Sequence, residues 1–218
     1  MAFQNIIKDL ANYNTNLVAV SKTKPQSAIL KLYEEGQRDF GENRVQELVD
    51  KQEALPKDIK WHMIGHLQSN KVKYIAPFIH LIHSVDSPKI LKEINKQAAK
   101  NDRIIDCLLQ FHIAEEDTKY GFDSDEALAF LKSPAFQSLQ NIRIVGVMGM
   151  ATFTKDENQV RNEFRSLKAI FDLLKKTCFE QVNSFKEISM GMSGDYTIAM
   201  EEGSTMVRIG SLLFGARR

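Results

Sequence analysis

Cysteine is nearly absent from this chain. Its two copies among 218 residues, Cys107 and Cys178, stand too far apart to form a metal-spaced or redox pair. Both are expected as small buried hydrophobes. An excess of charge of one sign is missing too: 29 Lys and Arg face 28 Asp and Glu, a formal net charge of +1. These charges interleave along helical faces, read as solvated, and leave no basic stripe for nucleic acid. No apolar run reaches the length of a membrane span, and residues 1–10 lack the basic and apolar regions of a signal peptide. The expectation is a cytoplasmic protein with neither a nucleic-acid nor a membrane partner. Internal repeats, low-complexity tracts and linkers are also lacking, so residues 1–218 are expected to form a single domain.

What is present is a core: 43% of the residues are hydrophobic and 26% charged, the balance of a soluble globular chain. Apolar runs alternate with amphipathic helices from end to end, which predicts parallel strands joined by crossover helices. Strands are expected near residues 17–20, 40–43, 61–64, 81–85, 104–111, 142–148, 187–190 and 206–210. Pro25 opens the helix after the first strand and Gly36 stops it, while Ser87-Pro88 starts the one after the fourth. Thr154 and Glu157 are expected to form a capping box ahead of a stripe of Val160, Phe164, Leu167, Phe171 and Leu174. Eight β/α units in this length predict an α/β fold of the (β/α)8 TIM-barrel type, preceded by a short N-terminal helix.

In such a barrel the loops after the strands share one face. The first strand, Leu17-Val18-Ala19-Val20, runs through Ser21 to Lys22. Most lysines are solvated, and an amine becomes a nucleophile only where burial or a neighbouring cation lowers its pKa. Phosphate sites in β/α barrels favour the loops after strands seven and eight. There Ser193 offers a hydroxyl, Gly194 lets backbone approach, and Gly210 and Ser211 supply further amides. Each is also what an ordinary tight turn or helix cap uses. Arg208, ending an apolar strand, is either a snorkelling rim residue or a fixed donor that surrenders no proton. An amine, a phosphate cradle and such a donor across one barrel suit pyridoxal 5'-phosphate (PLP). A Schiff-base aldolase acting on a sugar phosphate would share the lysine and the loops.

Five stretches carry a resemblance: Ala19-Val20-Ser21-Lys22-Thr23-Lys24-Pro25, Phe40-Gly41-Glu42-Asn43, Trp61-His62-Met63-Ile64-Gly65-His66-Leu67-Gln68-Ser69-Asn70-Lys71, Ser189-Met190-Gly191-Met192-Ser193 and Gly203-Ser204-Thr205-Met206-Val207-Arg208-Ile209-Gly210. In order and across nearly the whole chain, the sequence resembles the pyridoxal phosphate homeostasis proteins. The resemblance implies a fold-type III barrel like the N-terminal domain of alanine racemase, with PLP held as an aldimine on Lys22. It implies that Ser193 and the segment Arg208, Ile209 and Gly210 hold the phosphate and the pyridine nitrogen, with Asn43 and His62 lining the site. His66 and His112 are taken as structural. Lys119-Tyr120-Gly121 fits a pattern of the family for which there is no physical account.

Such proteins bind and deliver PLP and influence vitamin B6 and amino-acid balance. The implied role is a non-catalytic carrier or regulator, a monomer whose recipients are PLP-dependent apoenzymes. An arginine at the pyridine nitrogen weakens the ring as an electron sink, and none of Tyr33, Tyr74, Tyr120 and Tyr196 is marked as the base a racemase needs. An amino-acid racemase is the enzymatic alternative.

Overall fold

In the computed structural model, which describes residues 2–115 and 121–215, the predicted alternation closes on itself. Eight parallel strands pair in sequence order and the last returns to the first. The strands are β1 (Asn16–Val20), β2 (Asp39–Glu42), β3 (Lys60–Met63), β4 (Leu81–Val85), β5 (Ile105–Gln110), β6 (Ile142–Met148), β7 (Glu187–Met192) and β8 (Met206–Ile209). Around them lie α1 (Ala2–Ala11), α2 (Gln26–Glu34), α3 (Val45–Ala54), α4 (Val72–Ile75), α5 (Pro88–Lys100), α6 (Ser124–Leu131), α7 (Pro134–Gln137), α8 (Glu157–Thr177), α9 (Tyr196–Glu201) and α10 (Ser211–Phe214). Among the described residues no helix is long and apolar enough to cross a membrane. Lys119 and Tyr120 lie outside the described residues.

Side chains alternate across each strand, and the two faces have different chemistry. The outer face belongs to one large apolar cluster shared with the helices, holding Leu17 and Ala19 of β1, Trp61 and Met63 of β3, and Val207 and Ile209 of β8. The interior holds a much smaller one: Val18, Leu81, Leu108, Val145, Met148 and Met206. Other interior positions carry polar groups, among them His62, His83, Ser189 and Arg208, all at most 4% exposed.

Two local expectations change. The cap of α8 is Asp156, whose carboxylate accepts from the amides of Asn158 and Gln159, while Thr154 Oγ1 accepts from the Asp156 amide. The helix starts at Glu157, so the cap falls on Asp156, and the amide that Thr154 holds belongs to that cap residue and not to the helix. Cys107 is buried, as expected, and burial pushes its thiol well up, but Cys178 at the end of α8 is only half-buried.

Close approach of strands places one glycine under a hard constraint. A Cβ on Gly146 of β6 would stand 1.8 Å from the carbonyl oxygen of Glu187, where β6 begins pairing with β7. Backbone cannot yield there without opening the ladder. Gly146→Ala is therefore expected to lower stability by about 3 kcal/mol or more, the upper end of overpacking costs, measured by thermal or urea unfolding followed by circular dichroism.

Candidate functional site

The ends of β1, β2, β3, β6, β7 and β8 surround a cavity of about 610 Å³ at the C-terminal mouth of the barrel. Lys22, Asn43, Ser193, Gly194, Arg208, Gly210 and Ser211 all line it, so seven of the nine residues singled out from sequence meet in one place. Its apolar wall, with Val20, Ile64, Met150, Phe153, Met192 and Leu212, was not anticipated. Two residues go elsewhere. Ile209 is fully buried on the outer face among the helices, because its neighbour Arg208 takes the inward position. His62 lines a different cavity, at the opposite foot of the barrel.

Lys22 follows β1 by two residues, in a turn held on both sides. The Ser21 hydroxyl donates to Glu42 Oε1 (2.6 Å), and Lys51 Nζ donates to the Ser21 carbonyl (2.8 Å) and to Glu42 (2.7 Å). Beyond it, the Thr23 amide donates to Glu47 Oε1 (2.6 Å), which also accepts from Lys51 (2.7 Å). Thr23 adopts φ +63°, a backbone state that a β-branched residue enters only under such restraint. Lys51, which composition suggested was a solvated charge, is 5% exposed, and Glu42 is fully buried with Oε2 unpartnered among the described residues. Burial raises the Glu42 carboxyl above its usual range despite the hydrogen bonds from Lys51 and Ser21.

At β7 and β8, Ser193 does not cap the following helix: Asp195 takes that position and accepts from the Met192 amide (2.5 Å). Ser193 Oγ instead accepts from the Gly210 amide (3.2 Å), which ties the seventh loop to the eighth. A Cβ on Gly194 would meet nothing within 4 Å, so that stretch of backbone faces open space.

Arg208 starts a chain of hydrogen bonds that runs down the barrel interior. Its Nη2 donates to the Gly149 carbonyl (3.0 Å) and its Nη1 to Ser189 Oγ (2.6 Å). Ser189 Oγ is 2.9 Å from His83 Nδ1, His83 Nε2 is 2.9 Å from His62 Nδ1, and His62 Nε2 is 2.9 Å from Asp39 Oδ1. A guanidinium only donates and a carboxylate only accepts, so Ser189 accepts from Arg208 and Asp39 accepts from His62 Nε2–H. Between them the sense of the bonds follows the tautomers: with the Nε2–H tautomer of His62, His83 donates from Nε2 to His62 and accepts at Nδ1 from Ser189. Burial holds His83 well below its ordinary range, helped by the charges of His62, Arg208 and His80. Burial also lowers Arg208, to about 10 with the Asp195 charge opposing, which still leaves it protonated at neutral pH. For Asp39, burial pulls upward, but the His62 hydrogen bond and the charges of His62, Lys60 and His80 outweigh it and keep the carboxyl low.

Two outcomes are expected. Lys51→Met leaves Glu42 buried without its cation and should cost about 3–5 kcal/mol in urea unfolding, much of it recovered when Glu42→Leu is added. His83 carries a folded pKa depressed below 6.5, so its contribution to stability is complete above that value and is lost as pH falls through the folded one. His80, lowered chiefly by desolvation, acts in the same sense, whereas Asp39 matters only below its ordinary 3.8. The melting temperature should therefore fall between about pH 7 and about pH 5, and less steeply in His83→Gln.

The alanine racemase N-terminal domain family matches residues 4–218. A pyridoxal phosphate homeostasis protein of Aquifex aeolicus is 39% identical over 203 residues, spanning 93% of this chain and 87% of the relative. Two solved structures of PipY from Synechococcus elongatus, one without PLP and one with PLP bound, superpose with TM-scores of 0.87 and 0.84 at 35% identity, covering 96% of this chain and all of theirs. An alanine racemase from Bartonella henselae shares the fold at a TM-score of 0.72 and 17% identity; this chain spans 57% of its length. With the closed eight-stranded barrel and these matches over nearly its full length, the chain belongs to the alanine racemase N-terminal domain family and, within it, to the pyridoxal phosphate homeostasis proteins.

Proposed function

We propose that this chain binds PLP in the mouth of the barrel through the Lys22 amine and serves PLP homeostasis rather than a turnover reaction. The observation that carries this reading is a single cavity shared by Lys22 from the end of β1 and by Ser193, Gly194, Arg208, Gly210 and Ser211 from β7 and β8. The donor set fits the group. Gly194, with open space where a Cβ would stand, and the hydroxyls and amides around Ser193 and Ser211 form a cradle for phosphate oxygens. Arg208 would hold the ring nitrogen, Lys22 the aldehyde end, and Asn43 the rim between them.

When bound, PLP supplies an electrophilic carbon for amines and a ring able to draw electrons from carbon attached to it. Arg208 bears on the second property. Its guanidinium stays charged and gives hydrogen bonds without giving up a proton, so a ring nitrogen facing it stays unprotonated and the ring remains a weak electron sink. His62 acts from below, through His83 and Ser189, and Ile209 backs β8 from outside. The racemase alternative has less support: the racemase structures matched share 14–17% identity with this chain, a likeness of fold alone. The relatives' name and the PLP held by PipY favour homeostasis. In this reading residues 1–218 act as one PLP-binding barrel, monomeric and cytoplasmic, which passes PLP to PLP-dependent apoenzymes.

Borohydride reduction of the protein incubated with PLP, followed by peptide mass spectrometry, should place a phosphopyridoxyl group on Lys22. Lys22→Ala should lose both that adduct and the visible absorbance band. A modification spread over surface lysines with Lys22 untouched would overturn the reading, and displacement of PLP by sugar phosphates alone would point to the aldolase.

A further inference from the structure

The foot of the barrel holds a second cavity, of about 490 Å³, where the strands begin. Asp39 from β2, His62 from β3 and His80, just before β4, bring one carboxylate oxygen and two imidazole nitrogens within 4.8 Å of one another. We propose that these three residues bind a divalent transition-metal ion of the zinc type, at a site separate from the cavity at the mouth.

The donor set is the first argument. Two imidazoles and one carboxylate are ligands that zinc and its neighbours take, with the fourth position left to water. Nitrogen and oxygen donors around a tetrahedral zinc stand roughly 3.4 Å apart, so the cluster has to tighten by a side-chain movement. His80 allows it. Its amide is anchored to the Trp61 carbonyl (2.9 Å) while the residue itself is exposed, leaving the ring room to swing toward His62, whose centroid lies 5.4 Å away.

The second argument is the support behind His62. Metal-bound imidazoles are typically oriented by a hydrogen bond at the far nitrogen. His62 is 1% exposed, and its Nδ1 is held at 2.9 Å by His83 Nε2, which leaves Nε2 aimed at Asp39 and the cavity. With an ion on Nε2, His62 becomes the Nδ1–H tautomer, His83 accepts at Nε2 and donates from Nδ1 to Ser189, and the direction of those bonds reverses.

The surroundings select the ion. Lys60 and Lys186 line the same cavity, and of its other carboxylates Asp106 is engaged by Arg143 at 2.6 and 2.9 Å and Glu187 accepts from Thr205 Oγ1 at 2.7 Å. With one carboxylate in the cluster and two ammonium groups close by, magnesium and calcium, which depend on oxygen ligands and charge, are disfavoured. An ion that gains from imidazole coordination is not.

The test uses the full untagged chain, stripped with chelator and titrated with zinc chloride by calorimetry and with cobalt chloride by visible absorbance. One equivalent per chain is expected, with cobalt ligand-field bands of low coordination number. His80→Ala and Asp39→Asn should each weaken binding by at least about tenfold, since even residues behind metal ligands cost that much. His80 is exposed, so its variant should melt as the native protein does, and His80→Gln serves if it does not. Nitrogen-15 imidazole spectra should show His62 changing from the Nε2–H to the Nδ1–H tautomer on zinc addition. The proposal is overturned by absence of saturable zinc binding, by variants that bind as tightly as the native chain, by magnesium competing on equal terms, or by a His62 tautomer that zinc leaves unchanged.

Discussion

The barrel is organised around a run of hydrogen bonds anchored at each end by a group with a single role. Arg208 can only give and Asp39 can only receive, and Ser189, His83 and His62 lie between them at distances of 2.6 to 2.9 Å. Apolar side chains alone do not fill this interior, whose buried apolar cluster is confined to six residues. Polar groups survive there because each has both neighbours it needs, and the low surrounding polarity strengthens every link. The same satisfaction makes each member depend on the others: remove one and two buried groups lose a partner.

Placement of Lys22 depends on the other side of the sheet. Alternation along β2 turns Gly41 inward, where an added Cβ would stand 2.9 Å from Val18, and sends Glu42 outward to meet Lys51 of α3. From there a buried ion pair grips the backbone before Lys22, and Glu47 grips the backbone after it. The amine is thus delivered to the mouth by groups that never touch the cavity. An ion pair of this kind adds little to stability against an apolar substitute; its value is conformational.

Much of the fold was legible because two patterns were clear: short apolar runs for strands of four to seven residues, and the stripe of Val160, Phe164, Leu167 and Leu174 for α8. Residues of the mouth were legible because a barrel gathers strand ends. The interior chain was harder to see. His83 sits in a strand buried from Leu81 to Val85, where nothing in the residue order separates inward from outward positions. His62 was recognised by type and motif, yet Ile64, two residues on, takes the mouth and leaves His62 to the foot. Lys51 carries only a helical Glu47 partner in sequence, the mark of a solvated pair, and its burial follows from Glu42, which is near it only in space.

Closure of the ring joins β8 to β1, with Asn16 beside Met206 and Ala19 beside Ile209, and Lys24 Nζ reaches the carbonyls of Phe214 and Gly215. On the ribosome, the first strand emerges long before its partner exists. Until β8 follows, one edge of β1 stays unpaired, and the turn bearing Lys22 has neither Arg208 nor the Ser193–Gly210 tie across from it. The nascent chain therefore carries Lys22 through most of synthesis without the cavity that this lysine lines, whose far wall arrives only with the strands that seal the barrel.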